Sequence, residues 1–307
     1  MILCCGEALI DMLPRALGQE GTGYLPAPGG AVFNTAIALG RLGAPAGFFS
    51  GLSTDLFGRT LEAALAGSKV DTRLCLRSAR PTTLAFVELE AGQARYTFYD
   101  ENTAGRMIAP GDLPDIGPDV EAMLFGGISL VSEPCGSAYE ALMQREHTAR
   151  VMMFDPNIRA AFITDRHAHL GRMRRMLAMA DIVKLSHEDL TWFGEGTDAD
   201  AVARSWLELG PRLVLVTGGG DDAVAYTRNG HVRVPPCKVE IVDTIGAGDT
   251  FNAGILAALH EAGLLSKARI ADLSDVQVRT AIEFANRAAG VTVSRAGANP
   301  PWRSEIA

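Results

Sequence analysis

Short β-prone apolar runs alternate with helix-length segments of 3.6-residue periodicity along the whole chain, and that alternation leaves few architectures open. Runs at 2–9, 46–52, 121–126, 150–154, 181–185 and 212–217 predict strands. Segments at 31–42, 55–66, 135–146, 165–179, 198–209, 247–262 and 275–293 predict helices, with Ser53, Ser137 and Ser274 as capping residues. Repeated βα units with right-handed crossovers imply an α/β fold around a mostly parallel sheet. The 307 residues read as one unit, 1–307.

Two stretches break the rhythm. Residues 12–28 are rich in Gly and Pro, and Thr82 to Leu89 and Ala94 to Tyr99 flank a short turn at Gly92. Both predict extended antiparallel structure. They carry the exposed aromatics Tyr96, Phe98 and Tyr99, and are expected to pair into a small sheet over the strand ends, a lid at about 12–28 and 80–106. An ordinary edge hairpin would read the same way.

With 48% hydrophobic and 21% charged residues and no apolar run of membrane-spanning length, the chain reads as soluble and globular. Met1 to Leu13 carries Glu7 and Asp11 and lacks a basic leader, so it reads as a first buried strand rather than a signal peptide. Five scattered cysteines suggest neither a disulfide framework nor a zinc site, and place the protein in a reducing cytoplasm. A net charge of -8, with no basic cluster longer than Arg172 to Arg175, disfavours nucleic acid as a partner. That short run reads as a solvated helix face.

Three runs could carry chemistry. In Asp243 to Phe251, the β-prone Val239, Ile241 and Val242 lead into the small residues Gly246, Ala247 and Gly248, and a helix follows with Asp249 in its first turn. Free amides and the positive helix end make an anion site, where Asp249 could face an attacking nucleophile, although a Gly-rich turn capped by Asp249 fits as well. The second run, Pro28 to Ala36, joins two glycines that admit a polar ligand, Gly29 and Gly30, to Asn34, a donor and acceptor for hydroxyls. Asp11, near the end of the first strand, adds a carboxylate where open α/β sheets bind ligands. The third, Asp155 to Arg159, follows a strand, and Arg159 could hold a transferring phosphoryl group or form a surface ion pair.

Other patterns are excluded. No Gly-x-x-x-x-Gly-Lys-Ser/Thr run exists. Gly218 to Ala223 fits a loose dinucleotide pattern, yet β-prone residues and an Asn229-Gly230 turn follow where a helix is required. The pair His167 and His169 is too little for a metal site. The small-residue helix face of Asn286, Ala288, Ala289 and Gly290 could take a flat base, or pack in the core.

Gly29 to Gly43 resembles the first signature of the ribokinase-like (PfkB) carbohydrate kinases, and Asp243 to Phe251 their second, with Arg295-x-Gly297-Ala298 in its expected place. Within that family, Met1 to Pro14, Tyr96 to Asn102 and Asp155 to Arg159 resemble bacterial fructokinases, and the likeness spans the chain. The resemblance implies an αβα sandwich with a β lid, ATP as cosubstrate and Mg²⁺ arriving with it. It makes Asp249 the base and Gly246, Ala247 and Gly248 the anion hole, with Arg159 the arginine that could assist phosphoryl transfer. Asp11, Gly29, Gly30, Asn34 and the lid's Phe98 are assigned to the sugar; Ser186, Thr217, Gly219, Gly248 and Asn286 to the nucleotide. A potassium-type cation near Asp243 and Ile245 is common in the family.

Two positions depart from the pattern. The family's Asn-x-x-Glu appears as Ser186-His187-Glu188-Asp189, which leaves Asp189 an indirect Mg²⁺ role, and Asp222 stands at a common glycine position. Related 2-keto-3-deoxygluconate kinases carry an arginine where Asp100 stands, so a neutral ketose such as fructose is favoured, phosphorylated at O6. Another sugar or nucleoside kinase and a catalytically silent sugar-binding regulator are the alternatives. An exposed lid edge would invite a homodimer.

Overall fold

The structure, a computed structural model, describes residues 1–18, 21–90, 93–194 and 198–306. The chain opens with β1 (Ile2–Cys5), β2 (Leu9–Ala16), β3 (Thr22–Gly29) and α1 (Ala31–Arg41), then β4 (Ala46–Phe49), β5 (Gly51–Ser53) and α2 (Leu56–Gly67). After β6 (Leu76–Ser78), β7 (Thr83–Glu90) and β8 (Gln93–Tyr99) come β9 (Ala122–Gly126), α3 (Cys135–Glu146), β10 (Val151–Asp155) and α4 (Arg166–Met179). Then follow β11 (Ile182–Ser186), α5 (His187–Phe193), α6 (Ala199–Leu209), β12 (Leu213–Thr217), β13 (Ala223–Thr227) and β14 (Gly230–Val234). The helices α7 (Ala247–Glu261), α8 (Lys267–Ile270) and α9 (Asp275–Val293) complete the fold.

Eight strands form the main sheet in the order β14-β13-β12-β11-β10-β9-β1-β4. From β4 to β12 every pair is parallel, and the hairpin β13–β14 closes one edge antiparallel. Alternate residues serve two cores. Ile2, Cys4, Leu124, Met153, Ile182 and Leu215 share one with α1, α7 and α9. Leu3, Met123, Phe125, Phe154, Val183 and Val216 share the other with α3, α4 and α6. Burying each such side chain stabilises the fold by about 1.5–3 kcal/mol, which makes register-slipped sheets unfavourable. Parallel pairing also brings the residues that follow β1, β9, β10, β11 and β12 to one edge, where open α/β sheets bind ligands.

The stretches expected to form a lid build a separate four-stranded sheet, β3-β2-β7-β8. It corrects the all-antiparallel expectation: β2 and β7 pair in parallel, because a long crossover through the main sheet joins them. Tyr96 and Phe98 are half-buried rather than exposed, and the Phe98 ring sits 4.0 Å edge-on from Phe162, in the turn after β10. The Gly92 turn lies outside the described residues.

Other expectations shift for local reasons. The apolar run 2–9 breaks after Cys5, since a Cβ at Gly6 would come within 2.5 Å of Val32 and the chain must leave the sheet to start the lid. The run 46–52 divides into β4 and β5, the latter pairing with β6. Val239, Ile241 and Val242 form no strand; they are 40%, 63% and 58% exposed, and the Val242 N–H donates to the Val293 carbonyl on α9. High β propensity has no effect without a neighbouring strand. Asp55, not Ser53, caps α2, and Ser137 lies inside α3, whereas Ser274 caps α9 reciprocally with Gln277. In the Arg172 to Arg175 run, Arg174 and Arg175 are exposed, as a solvated face requires, while Arg172 and Arg175 both bind Glu140 and tie α4 to α3.

Helix α7 is buried without a break from Asp249 to Ala257 and packs on α9 closely enough that a Cβ at Gly254 would stand 2.5 Å from the Ala285 Cα. Gly254→Ala is therefore expected to destabilise the protein by about 1–3 kcal/mol through overpacking, read as a lower urea midpoint. An unchanged midpoint would show that the two helices can separate freely.

Candidate active site

Asp249 is the third residue of α7, whose N-terminus begins at Gly246 in the left-handed conformation (φ 78°). A Cβ on Gly246 would meet Ala298 at 2.9 Å, so glycine serves both the turn and the contact. The N–H groups of Gly248 and Asp249 find no acceptor among the described residues, and the helix dipole adds its positive end there. The Asp249 carboxylate, 7% exposed, accepts a hydrogen bond of 2.9 Å from Asn34 Nδ2. Burial raises its pKa from 3.8 to about 7; Asp155 pushes the same way, while Asn34, Lys184 and Arg159 pull back. The folded state thus holds this proton more tightly than the unfolded chain, so ionising Asp249 costs stability as pH rises from 3.8 to about 7.

Beside it lies a buried charge network. Asp155, 3% exposed at the end of β10, accepts from Lys184 Nζ at 3.1 Å and from Asn252 Nδ2 at 2.6 Å. Burial pulls the Lys184 pKa down, but Asp155, Asp189 and Asp249 together raise it above its ordinary value. Asp189 accepts from the Ile158 N–H through one oxygen and from the Ser186 N–H and hydroxyl through the other. Both departing residues therefore work as a helix cap that also grips the 155–159 turn. Arg159 is exposed, and its described hydrogen bond goes to the neighbouring Ile158 carbonyl.

The start of α1 is held by a residue to which sequence reasoning gave no role. Glu7, 8% exposed, accepts from the Ala31 N–H at 2.9 Å and the Val32 N–H at 3.4 Å, and its other oxygen accepts from the Ser129 N–H at 3.4 Å. Glu7 thus clamps the Gly29-Gly30 turn onto the end of β9. Gly30 has φ 109°, and a Cβ on Gly29 would fall 2.1 Å from Asp11 Oδ2. Burial raises the Asp11 pKa to about 6. The Gly29 position thus abuts Asp11, Asn34 joins α1 to Asp249, and the Tyr96 hydroxyl of the small sheet feels both Asp11 and Arg159.

In the loop leading into α7, Asp243 accepts from the Ile245 N–H at 3.0 Å and the Gly297 N–H at 2.8 Å, joining the second signature to the Arg295-x-Gly297-Ala298 segment. Ser186 and Thr217 end adjacent strands in register, and a Cβ at Gly219 (φ 67°) would meet nothing within 4 Å. The helix face at Asn286 is packed: its amide donates to the Pro235 carbonyl at 2.9 Å, and Cys237 covers Gly290. Asp100 is not a bare charge near the acceptor; it pairs with Arg106 at 2.9 Å and accepts from the Ser132 hydroxyl at 2.8 Å. The Asp100 charge is therefore paired within the fold.

The sequence profile of the pfkB family carbohydrate kinases matches residues 1–305. The chain belongs to this family. It is 54% identical over 281 residues to a fructokinase of Rhizobium leguminosarum bv. trifolii, covering 91% of this chain and 86% of that protein. Among solved structures, fructokinase from Xylella fastidiosa with bound ATP superposes with a TM-score of 0.89 at 30% identity, covering 99% of this chain and 96% of that one. Fructokinase from Vibrio cholerae O395, in a fructose, ADP and calcium ion bound form, superposes with a TM-score of 0.83 at 27% identity, covering 97% and 94%.

As in the wider carbohydrate kinase family, the fold is an αβα sandwich with a small separate sheet. Lys184, Asn252 and Glu7 escaped the sequence reading because each lies in or beside an apolar run, but a single lysine among Ile182, Val183 and Leu185 was a visible signal. In this kinase, Glu7→Ala leaves buried N–H donors unmet and is expected to cost about 1–3 kcal/mol, seen as a lower urea midpoint. A variant as stable as the parent would remove Glu7 from the support of α1.

Proposed function

We propose that the chain is an ATP-dependent fructokinase that transfers the γ-phosphoryl group to O6 of D-fructose, with Asp249 as the base. The observation that carries this reading is the juxtaposition of a buried carboxylate of raised pKa with two free amides at one helix N-terminus. The 54% identity to a fructokinase supports the choice of sugar.

In this mechanism Asp11, Asn34 and the Gly29-Gly30 backbone bind the sugar hydroxyls and orient one of them toward Asp249. Asp249, ionised, takes that hydroxyl's proton as the oxygen attacks phosphorus. The amides of Gly248 and Asp249, with Gly246 and Ala247 shaping the turn, stabilise the charge on the moving phosphoryl group, and Arg159 adds planar donors. Closure of the lid, with Phe98 over the sugar, excludes water.

Ser186, Thr217, Gly219 and Asn286 flank the nucleotide in this reading, Asn286 by fixing the loop that covers α9. Mg²⁺ would be carried by the nucleotide phosphates in this reading. Mg²⁺ there would neutralise phosphate charge, with Asp189, held by Ile158 and Ser186, as an indirect partner. A monovalent cation would lie by Asp243 and Ile245. The exposed Tyr24, Leu25 and Tyr99 on the lid fit a homodimer, and the five free cysteines fit the cytoplasm.

Asp249→Asn is expected to bind fructose with nearly unchanged affinity while kcat falls by about 10²–10⁴-fold, with a melting temperature at or above the parent's. Near-normal turnover would refute the base. A panel of sugars with ATP, read as kcat/KM, is expected to favour fructose; preference for 2-keto-3-deoxygluconate would reassign the substrate, and sugar binding without ADP formation would mark a regulator.

A further inference from the structure

Lys184 is the sole lysine or arginine buried among the described residues, at 5% exposure, and it lies in the middle of a central parallel strand. Desolvating an ion pair costs several kcal/mol per ion, and well-packed apolar residues in its place are often as stable or more so. Stability alone therefore gives little reason for a lysine here. Its surroundings supply another. The ammonium lies 3.1 Å from Asp155, which in turn holds Asn252 on α7, three residues beyond Asp249. It also lies directly under the first turn of α7, where a Cβ at Gly248 would stand 2.9 Å from Nζ. Glycine at 248 thus leaves room for the amine as well as for an anion.

We propose that Lys184 is the fixed counter-charge of the transfer centre, a positioning residue that ties the end of β10 to α7 through Asp155 and sets a permanent positive charge beneath the Gly248 and Asp249 amides. The inference rests on the reading of Asp249 as base. No other cation among the described residues is held there by the fold: Arg159 is exposed on a turn, whereas Lys184 is fixed by the sheet. The groups facing Asp249 are Asp155 from β10, Lys184 from β11, Arg159 from the turn after β10 and the neutral Asn34 from α1. Those facing Lys184 are Asp155, Asp189 and Asp249. Removing the lysine leaves Asp155 to act on Asp249 unopposed from within the core. The Asp249 carboxylate then becomes harder to ionise, and the anion hole loses its underlying charge.

The test is steady-state kinetics of Lys184→Met and Lys184→Arg across pH, with fructose and ATP, on protein checked for cooperative melting. Lys184→Met is expected to lower kcat by about 10²–10³-fold with fructose KM little changed, and to move the acid limb of kcat/KM upward by about one pH unit. Lys184→Arg should restore much of the limb's position. A lysine that merely filled the core would lower the melting temperature and leave kcat and the limb in place, and that result would overturn the proposal. Should Lys184→Met fail to fold, the double variant Asp155→Asn with Lys184→Met removes the unmatched charge and should still show the fall in kcat; parental kcat in it would equally overturn the proposal. Activity surviving in Asp249→Asn would refute the base itself, whereas an inactive Asp249→Asn beside a fully active Lys184→Met would refute only the role of Lys184.

Discussion

A carboxylate held almost dry at the N-terminus of a buried helix is the constraint around which the rest of the structure is arranged. Leaving Asp249 ionised there is unfavourable, and burial raises its pKa to about 7. What makes the charge tolerable is local and specific: one hydrogen bond from Asn34, the field of Lys184, and the dipole of α7. None of these could be in place without the sheet. Asn34 is delivered by α1, which Glu7 fixes at the end of β1; Lys184 and Asp155 come from β11 and β10; α7 is held against α9 by the Gly254–Ala285 approach and the hydrogen bond between Thr250 and Thr292.

The same arrangement explains why the site mixes structural and chemical roles in single residues. Asp189 caps α5 and fixes the turn bearing Arg159. Gly29 admits the Asp11 carboxylate, Gly246 turns the chain and touches Ala298, and Gly248 makes room for Lys184. Replacing any of these would disturb position before it disturbed chemistry. A transfer centre of the kind proposed, working by positioning and charge rather than by covalent intermediates, would be sensitive to that kind of disturbance.

Much of this was legible from residue order. The βα alternation located the six strands of the parallel sheet and the seven long helices to within a few residues, because apolar periodicity is a strong signal when strands are covered on both faces. The Gly-Ala-Gly-Asp turn was legible because glycine at such a turn has a backbone reason. Other features were not. Val239, Ile241 and Val242 look like a strand by composition, yet they form an exposed loop stapled to α9. The seven-residue α5 is too short for periodicity to register. Asp100 was read as a lone acid, and its partner Arg106, six residues on, is recognisable only once the chain folds back. Lys184 and Glu7 were hidden for a related reason: a charged residue in a buried run gains meaning from what the tertiary fold brings to it.

The central claim is that burial has turned Asp249 into a base poised near neutral pH. Isotope-edited infrared or carbon NMR titration of the free protein, taken as a difference against Asp249→Asn, follows that carboxyl alone. A midpoint near 7 is the predicted result, and a midpoint at the ordinary value of 3.8 would contradict it.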